Sequence, residues 1–280
     1  MDDQSKIIDG RKLAERHERF LKKKIEKLPK TPWIVSILIG DDPPSVLYSN
    51  LKRKKAESLG IKFEIVKFSA NSVFSKVAGY MQTLNRPDGP DGVMVQLPLP
   101  KEFLKTQKME DLLKIINPQK DVDGLTLKGA VLPAAVKAVL SILEDEKIVA
   151  KGKRIAVLGR SNLIGKPLAE ELKKRGAKIL VGHSQTPDLK KITLKADIIV
   201  STVGKEGLVS ADMVSNGAFI IDVGTSKNKQ GKIVGDVDFN SVFPKVSKIT
   251  PVPGGVGPVT VISLMENVVQ LVEGKSYGNV

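Results

Sequence analysis

Tyr48 and Lys52, four residues apart in a chain of 280, are the first pair whose types suit chemistry. On a helix that spacing puts both on one face. A lysine taken out of water gives up its charge readily, and a neighbouring phenol can orient or relay a proton. The competing reading is plain: Lys52 opens the run Lys52-Arg53-Lys54-Lys55, and such runs are usually solvated basic faces. Gln96 closes an apolar run, and Asp121 and Asp123 sit in Asp121-Val122-Asp123-Gly124. In open α/β sheets, ligands bind at such strand ends, although a lone Gln or Asp there can simply cap a turn.

The second candidate is the turn Gly159-Arg160-Ser161-Asn162-Leu163-Ile164-Gly165-Lys166-Pro167. It fits neither common phosphate fingerprint. Arg160 and Pro167 stand where a Walker loop needs Gly and Ser/Thr, and Ser161 replaces the second glycine of Gly-x-Gly-x-x-Gly. A tight turn from a strand to a helix N-terminus is nevertheless what a pyrophosphate needs; a turn that merely connects two elements is the alternative. Roughly 20 residues on, NAD-specific sheets place an acid for the ribose hydroxyl. Here the segment is Leu180-Val181-Gly182-His183-Ser184, with Ser184 expected to end the strand. No carboxylate is present, and Arg160 offers a guanidinium able to grip a 2′-phosphate at two points. The pattern favours NADP over NAD.

The elements that must position these residues alternate. A helix is expected over 10–28, with Leu13, Phe20, Leu21, Ile25 and Leu28 as its apolar positions and Pro29 as its stop. Strands are expected at 33–40, 61–68 and 91–100, with helices from Pro43 or Pro44 to Leu59 and over 72–84. The second half repeats the pattern, with strands at 154–159, 177–184, 196–204 and 217–224, a helix at 163–176 and a last helix at 258–273. Continuous apolar strands separated by helices indicate parallel α/β sheets. A boundary is expected near the helix at 133–145, which gives domains of 1–130 and 131–257, with the helix from about 258 to 280 returning to the first.

Composition excludes several chemistries. The chain has no cysteine and only two histidines, His17 and His183, which removes disulfides, thiolate nucleophiles and Cys-type metal sites and argues against any metal centre. Ser161 lacks the following glycine of a hydrolase nucleophile elbow. A net charge of +14 attracts polyanions of any kind, yet aromatics are only 4%, few for stacking platforms, which leaves a basic nucleic-acid-binding protein as a distant alternative. The opening MDDQSKIIDG has no secretory pattern, and no apolar run suits a membrane span, so a cytoplasmic location is the expectation.

Taken together, six strings in order make the chain resemble the bifunctional methylenetetrahydrofolate dehydrogenase/cyclohydrolase family along nearly its whole length. They are Tyr48-x-x-x-Lys52 with the Arg-Lys that follows, Val95-Gln-Leu-Pro-Leu-Pro100, Lys120-Asp-Val-Asp-Gly124, Gly159-Arg-Ser-x-x-x-Gly-x-Pro167, Gly235-Asp-Val237 and Ile249-Thr-Pro-Val-Pro-Gly-Gly-Val-Gly-Pro258. The resemblance implies two α/β domains, an N-terminal folate/catalytic one and a Rossmann-like NADP-binding one, with a cleft between them, usually in a homodimer. It implies a folate substrate, with or without a polyglutamate tail, and neither nucleic acid nor membrane as partner. It makes Lys52 the central catalytic group, tuned by Gln96 and Tyr48, with Tyr48 also stacking on the folate, Asp123 holding the pterin, and Gly254 and Gly255 shaping the far wall. Gly159, Arg160, Ser161, Ser184 and Thr225 become the cofactor positions, the last on the nicotinamide side. The implied reactions are NADP-dependent oxidation of 5,10-methylenetetrahydrofolate and hydrolysis of the methenyl product to 10-formyltetrahydrofolate.

Two departures stand out. Leu125 to Val136 replaces a longer connection carrying a Pro-Cys-Thr-Pro segment, which makes an enzyme with one activity impaired the rival within the family. Asp222-Val-Gly-Thr225-Ser226 stands where Asp-Val-Gly-Ile-Asn is more usual.

Overall fold

The structure, a computed structural model, describes residues 3–105, 107–126 and 128–274. The expected helix to position 280 therefore runs, from 275, outside the described residues. The chain divides into two compact units: His17–Ala134 with the chain from Val261 onward, and the chain up to Arg16 with Ala135–Thr260.

Helix α1 (Gly10–Ile25) starts where the Asp9 carboxylate accepts the backbone N–H groups of Arg11 and Lys12 at 3.0 and 3.3 Å. It ends at Ile25, and tighter i to i+3 bonds carry the chain on to Leu28, the residue that Pro29 keeps out of helical φ/ψ. Leu13 and Leu21 are buried, but Phe20, expected in the apolar stripe, is 70% exposed, since it lies about 100° round the helix from Leu21.

The first unit is built on strand β1 (Trp33–Ile39), helix α2 (Pro43–Ser58), strand β2 (Lys62–Phe68), helix α3 (Phe74–Leu84), strand β3 (Gly92–Val95) and the short helix α4 (Met109–Leu113). The sheet is parallel in the order β2-β1-β3, and every β1 residue except Trp33 is buried, as its unbroken apolar run requires. Asp42 caps α2 by accepting the Ser45 N–H at 3.0 Å, and a proline occupies its first turn.

The other unit contains helix α5 (Ala134–Asp145), strand β4 (Arg154–Leu158), helix α6 (Gly165–Lys174), strand β5 (Lys178–Gly182), helix α7 (Leu189–Thr193), and strands β6 (Ile198–Ser201) and β7 (Phe219–Asp222). A small hairpin follows, β8 (Ser226–Lys227) with β9 (Ile233–Val234), then helix α8 (Phe239–Val242) and strand β10 (Lys248–Ile249); helix α9 (Val256–Val272) starts in this unit and from Val261 onward belongs to the first. Five parallel strands run in the order β10-β7-β6-β4-β5, so successive connections leave β4 in opposite directions. That reversal is the topological switch point at which doubly wound sheets bind ligands. Ala156, Leu158, Ile199 and Ile220 form the centre of the core beneath it.

In this unit Ile8 donates its N–H to the Ile249 carbonyl at 2.9 Å, and Gly10 follows in backbone contact with Gly255. A Cβ at Gly10 would collide with the Gly255 carbonyl, whereas Gly257 has open space around it. Gly10→Ala is therefore expected to destabilise the protein by about 1–3 kcal/mol, read as a lower Tm, while Gly257→Ala leaves Tm nearly unchanged.

Candidate active site

The catalytic candidates converge at the carboxyl edge of the three-stranded sheet. Gln96 is the residue after β3; its N–H bonds the Ile37 carbonyl of β1 at 2.9 Å, which fixes its backbone to the sheet. Its side chain is buried and oriented at both ends: Nε2 donates to the Leu97 carbonyl at 2.7 Å, so Oε1 is left to accept from Lys52 Nζ at 3.1 Å. Lys52 reaches it from α2. Tyr48 lies one turn earlier on the same face, partly buried, and among the described residues no hydrogen bond joins it to Lys52.

Burial sets the electrostatics here. It lowers the Lys52 pKa below the ordinary lysine value, with the Asp123 carboxylate pulling the other way. Burial likewise raises Asp123, against the opposing pull of Lys52 and with a further upward push from Asp121. In both groups loss of water outweighs the charge partner. Each therefore moves towards its neutral form, and a neutral amine is a proton acceptor.

Asp123 is held in place by its neighbours. Asp121 forms a bridge to Val93 of β3, its Oδ2 accepts the Thr126 N–H at 2.7 Å, and the Asp123 carbonyl accepts the Ala134 N–H at 3.2 Å. Gly124 has φ +68° and no room for a Cβ against Leu132 and Pro133. Sequence reasoning missed Asn267, a fully buried residue of α9 whose Nδ2 donates to the Val122 and Leu132 carbonyls, both at 2.9 Å. No clear signal for it stood in the sequence, since α9 also carries Thr260, Ser263, Glu266 and Gln270.

The basic run divides by environment. Lys54 is exposed, as expected of a solvated face, but Lys55 is not: it is partly buried and pairs with Glu18 at 2.7 Å.

At the switch point of the other unit, Gly159 has φ +110° and a Cβ there would strike the Thr202 hydroxyl, while one at Gly165 would strike the Gly159 carbonyl. The turn is thus pressed against the end of β6 on one side and the start of α6 on the other. Ser161 Oγ accepts the N–H groups of Ile164 and Gly165 at 3.2 and 3.3 Å, so this hydroxyl organises the helix start. Ser184 does not end a strand: β5 stops at Gly182, and Ser184 is exposed in the turn that follows, where Thr186 N–H bonds the His183 carbonyl. Arg160 is exposed too, and its Nη2 donates to Gln185 Oε1 at 2.7 Å, which ties the guanidinium to the turn that carries Ser184. Gln185 was not anticipated. Thr225 is exposed in the loop after β7. This donor set, with Arg160 and Ser184 exposed and no carboxylate between them, fits a 2′-phosphorylated dinucleotide.

Gly254 and Gly255 lie in this unit. Gly254 has φ +109°, and a Cβ on Gly255 would press on Thr250 and Pro251, so backbone conformation at the first and packing at the second already demand glycine.

A partly buried lysine locked to a glutamine in one parallel α/β unit, and a dinucleotide turn in the other, define a two-unit α/β enzyme of the nucleotide-dependent class. Residues 8–123 match the catalytic domain of the tetrahydrofolate dehydrogenase/cyclohydrolase family, and residues 133–276 match its NAD(P)-binding domain. The chain belongs to that family. It is 42% identical over 278 residues to the bifunctional protein FolD of Lactobacillus helveticus, covering 95% of this chain and 97% of the relative. Its fold is similar to that of the bifunctional FolD methylenetetrahydrofolate dehydrogenase/cyclohydrolase of Campylobacter jejuni, with a TM-score of 0.90, 36% identity and coverage of 96% and 98% of the two chains. The Trypanosoma brucei methylenetetrahydrofolate dehydrogenase-cyclohydrolase, solved with NADP cofactor and inhibitor, gives a TM-score of 0.87 at 33% identity over 96% of this chain and 97% of that one.

Because Asp123 raises the Lys52 pKa, Asp123→Asn is expected to lower it further. The pH at which the Lys52 amine reacts with an acylating reagent, followed by mass spectrometry, should then move to lower pH; an unmoved midpoint would separate the two groups electrostatically.

Proposed function

We propose that the protein is a bifunctional one-carbon folate enzyme, which oxidises 5,10-methylenetetrahydrofolate with NADP and hydrolyses the methenyl product to 10-formyltetrahydrofolate. The observation that carries this reading is the Lys52–Gln96 hydrogen bond, in which a lysine whose pKa is lowered by burial is held by an amide that turns its oxygen to the ammonium.

The hydrolysis follows from that geometry. Water bonds through oxygen to the electron-poor bridge carbon, and its proton passes to neutral Lys52. The bond from that carbon to one of its two nitrogens then breaks. That nitrogen takes up a proton, the formyl group stays on the other, and one proton is released overall. Gln96 keeps Nζ aimed at the reacting water, and Tyr48, on the same helix face, stacks on the folate. Asp123 accepts N–H groups of the pterin.

In the oxidation, bound NADP supplies the hydride acceptor. The chain supplies placement: the Gly159–Gly165 turn would hold the pyrophosphate, Arg160 and Ser184 would take the 2′-phosphate, and Thr225 would serve the nicotinamide side. Substrate and cofactor are both anionic, so the net charge of +14 serves to draw them in, polyglutamylated folates included.

The same reading divides the chain into a folate/catalytic domain over 1–130 and an NADP domain over 131–257. It also extends to a cytoplasmic homodimer that supplies one-carbon units to purine and amino-acid synthesis. In its support, β5 ends the five-stranded sheet with Val181 43% exposed, an edge suited to pairing with a second copy. Among the described residues, no helix is long and apolar enough to cross a membrane.

Lys52→Met is expected to abolish cyclohydrolase activity in a folded protein, with Lys54→Met, on the exposed face, as control; most activity surviving in folded Lys52→Met would remove Lys52 from the mechanism. Arg160→Ala is expected to weaken NADP about ten- to a hundredfold, since a charge-assisted hydrogen bond contributes roughly 1.5–3 kcal/mol net. NAD should be much less affected. Equal losses for the two cofactors in Kd measurements would assign Arg160 to the turn instead.

A further inference from the structure

Two carboxylates with no counter-charge lie under the carboxyl edge of the five-stranded sheet. Asp222, the last residue of β7, is 3% exposed, and Asp236, just after β9, is fully buried. Among the described residues neither forms an ion pair. Both instead collect hydrogen-bond donors, nearly all from the main chain. Asp222 Oδ1 accepts the N–H groups of Gly224 at 3.0 Å and Asp236 at 3.1 Å, and its Oδ2 accepts that of Val237 at 2.9 Å. Asp236 Oδ2 accepts the Ser201 hydroxyl at 2.6 Å and the Val203 N–H at 2.8 Å, and its Oδ1 accepts the Lys205 N–H at 2.7 Å.

The two side chains therefore staple three loops: 202–205 after β6, 223–225 after β7, and 235–237. Glycines make room for them, since a Cβ at Gly224 would strike the Asp236 carboxyl and one at Gly235 the Asp222 carboxyl. Burying two like charges side by side costs stability. Burial, with the Asp236 charge, pushes the Asp222 carboxyl up to about 7 although three N–H groups pull it down.

The stapled loops are placed for a ligand. Thr202, next to Val203, donates its N–H and hydroxyl to the Leu158 carbonyl at 2.8 and 2.9 Å and abuts Gly159. The chain of contacts thus runs from the dinucleotide turn, through Thr202 and Asp236, to Asp222 and the loop carrying Thr225.

We propose that Asp222 and Asp236 are positioning residues for the dinucleotide, which hold the loops after β6 and β7 in the shape that receives its nicotinamide half. This rests on the reading of the switch point as the NADP site.

The test uses the full chain with Ser201→Ala, Asp236→Asn and Asp222→Asn, measuring Tm, the Kd for NADP, and both activities. Ser201→Ala removes one hydrogen bond to Asp236 and should weaken NADP by about three- to tenfold, and the Asn variants by more than tenfold. Dehydrogenase activity should fall in step, while cyclohydrolase activity on the methenyl substrate stays within about twofold. If an Asn variant fails to fold, Ser201→Ala decides. A wild-type protein that does not bind NADP would overturn the site reading and the proposal with it. Wild-type binding matched by undiminished binding in the folded variants would overturn the proposal alone, as would a parallel loss of both activities with unchanged NADP affinity.

Discussion

Removing a lysine from water is the act on which the catalytic unit turns. A charged ammonium is costly to bury, and the penalty falls on the protonated form alone, so burial makes the lysine give up its proton more readily than a surface cation would. Everything around Lys52 manages that cost. Gln96 gives the ammonium one acceptor without giving it a charge. Asp123 returns part of the lost stabilisation from farther off. A carboxylate hydrogen-bonded to Nζ would hold the proton far more firmly and would suit a structural ion pair; the amide leaves the lysine free to exchange it.

The sheet makes this arrangement affordable. In a parallel sheet all strands finish at one edge, so Gln96, just beyond β3, meets Lys52 of α2, the helix that follows β1, without any sequence proximity. Gln96 is tied to β1 through its backbone, and Asp123 to β3 through the Asp121 bridge. The five-stranded sheet uses the same edge differently. There the backbone itself comes close, glycine after glycine, and buried carboxylates rather than side-chain packing hold the loops. One unit thus presents a reactive side chain and the other presents main chain.

Surface charge contributes little to either arrangement. Pairs such as Arg53–Glu57 at 4.0 Å and Lys114–Asp111 at 3.3 Å are exposed, where such contacts are worth at most about 1 kcal/mol. The positive excess instead sets up a long-range field that attracts anions of any kind.

The sequence by itself determined the alternation of strands and helices, because hydrophobic period and glycine or proline punctuation are local properties. It also determined that Tyr48 and Lys52 share a helix face, and it marked the Gly159 turn and the absence of an acid at Ser184. Environment was beyond it. Lys52 and Lys55 look alike in the chain, yet one meets Gln96 and the other Glu18, because α2 turns different faces to its surroundings. Nothing near Asn267 in sequence foretells that it grips carbonyls some 135 to 145 residues away. The exact close of β5 at Gly182, and so the place of Ser184, was settled by pairing with β4, which is equally non-local. Only the tertiary structure decides such matters, since desolvation and hydrogen-bond partnership depend on what the rest of the chain brings alongside.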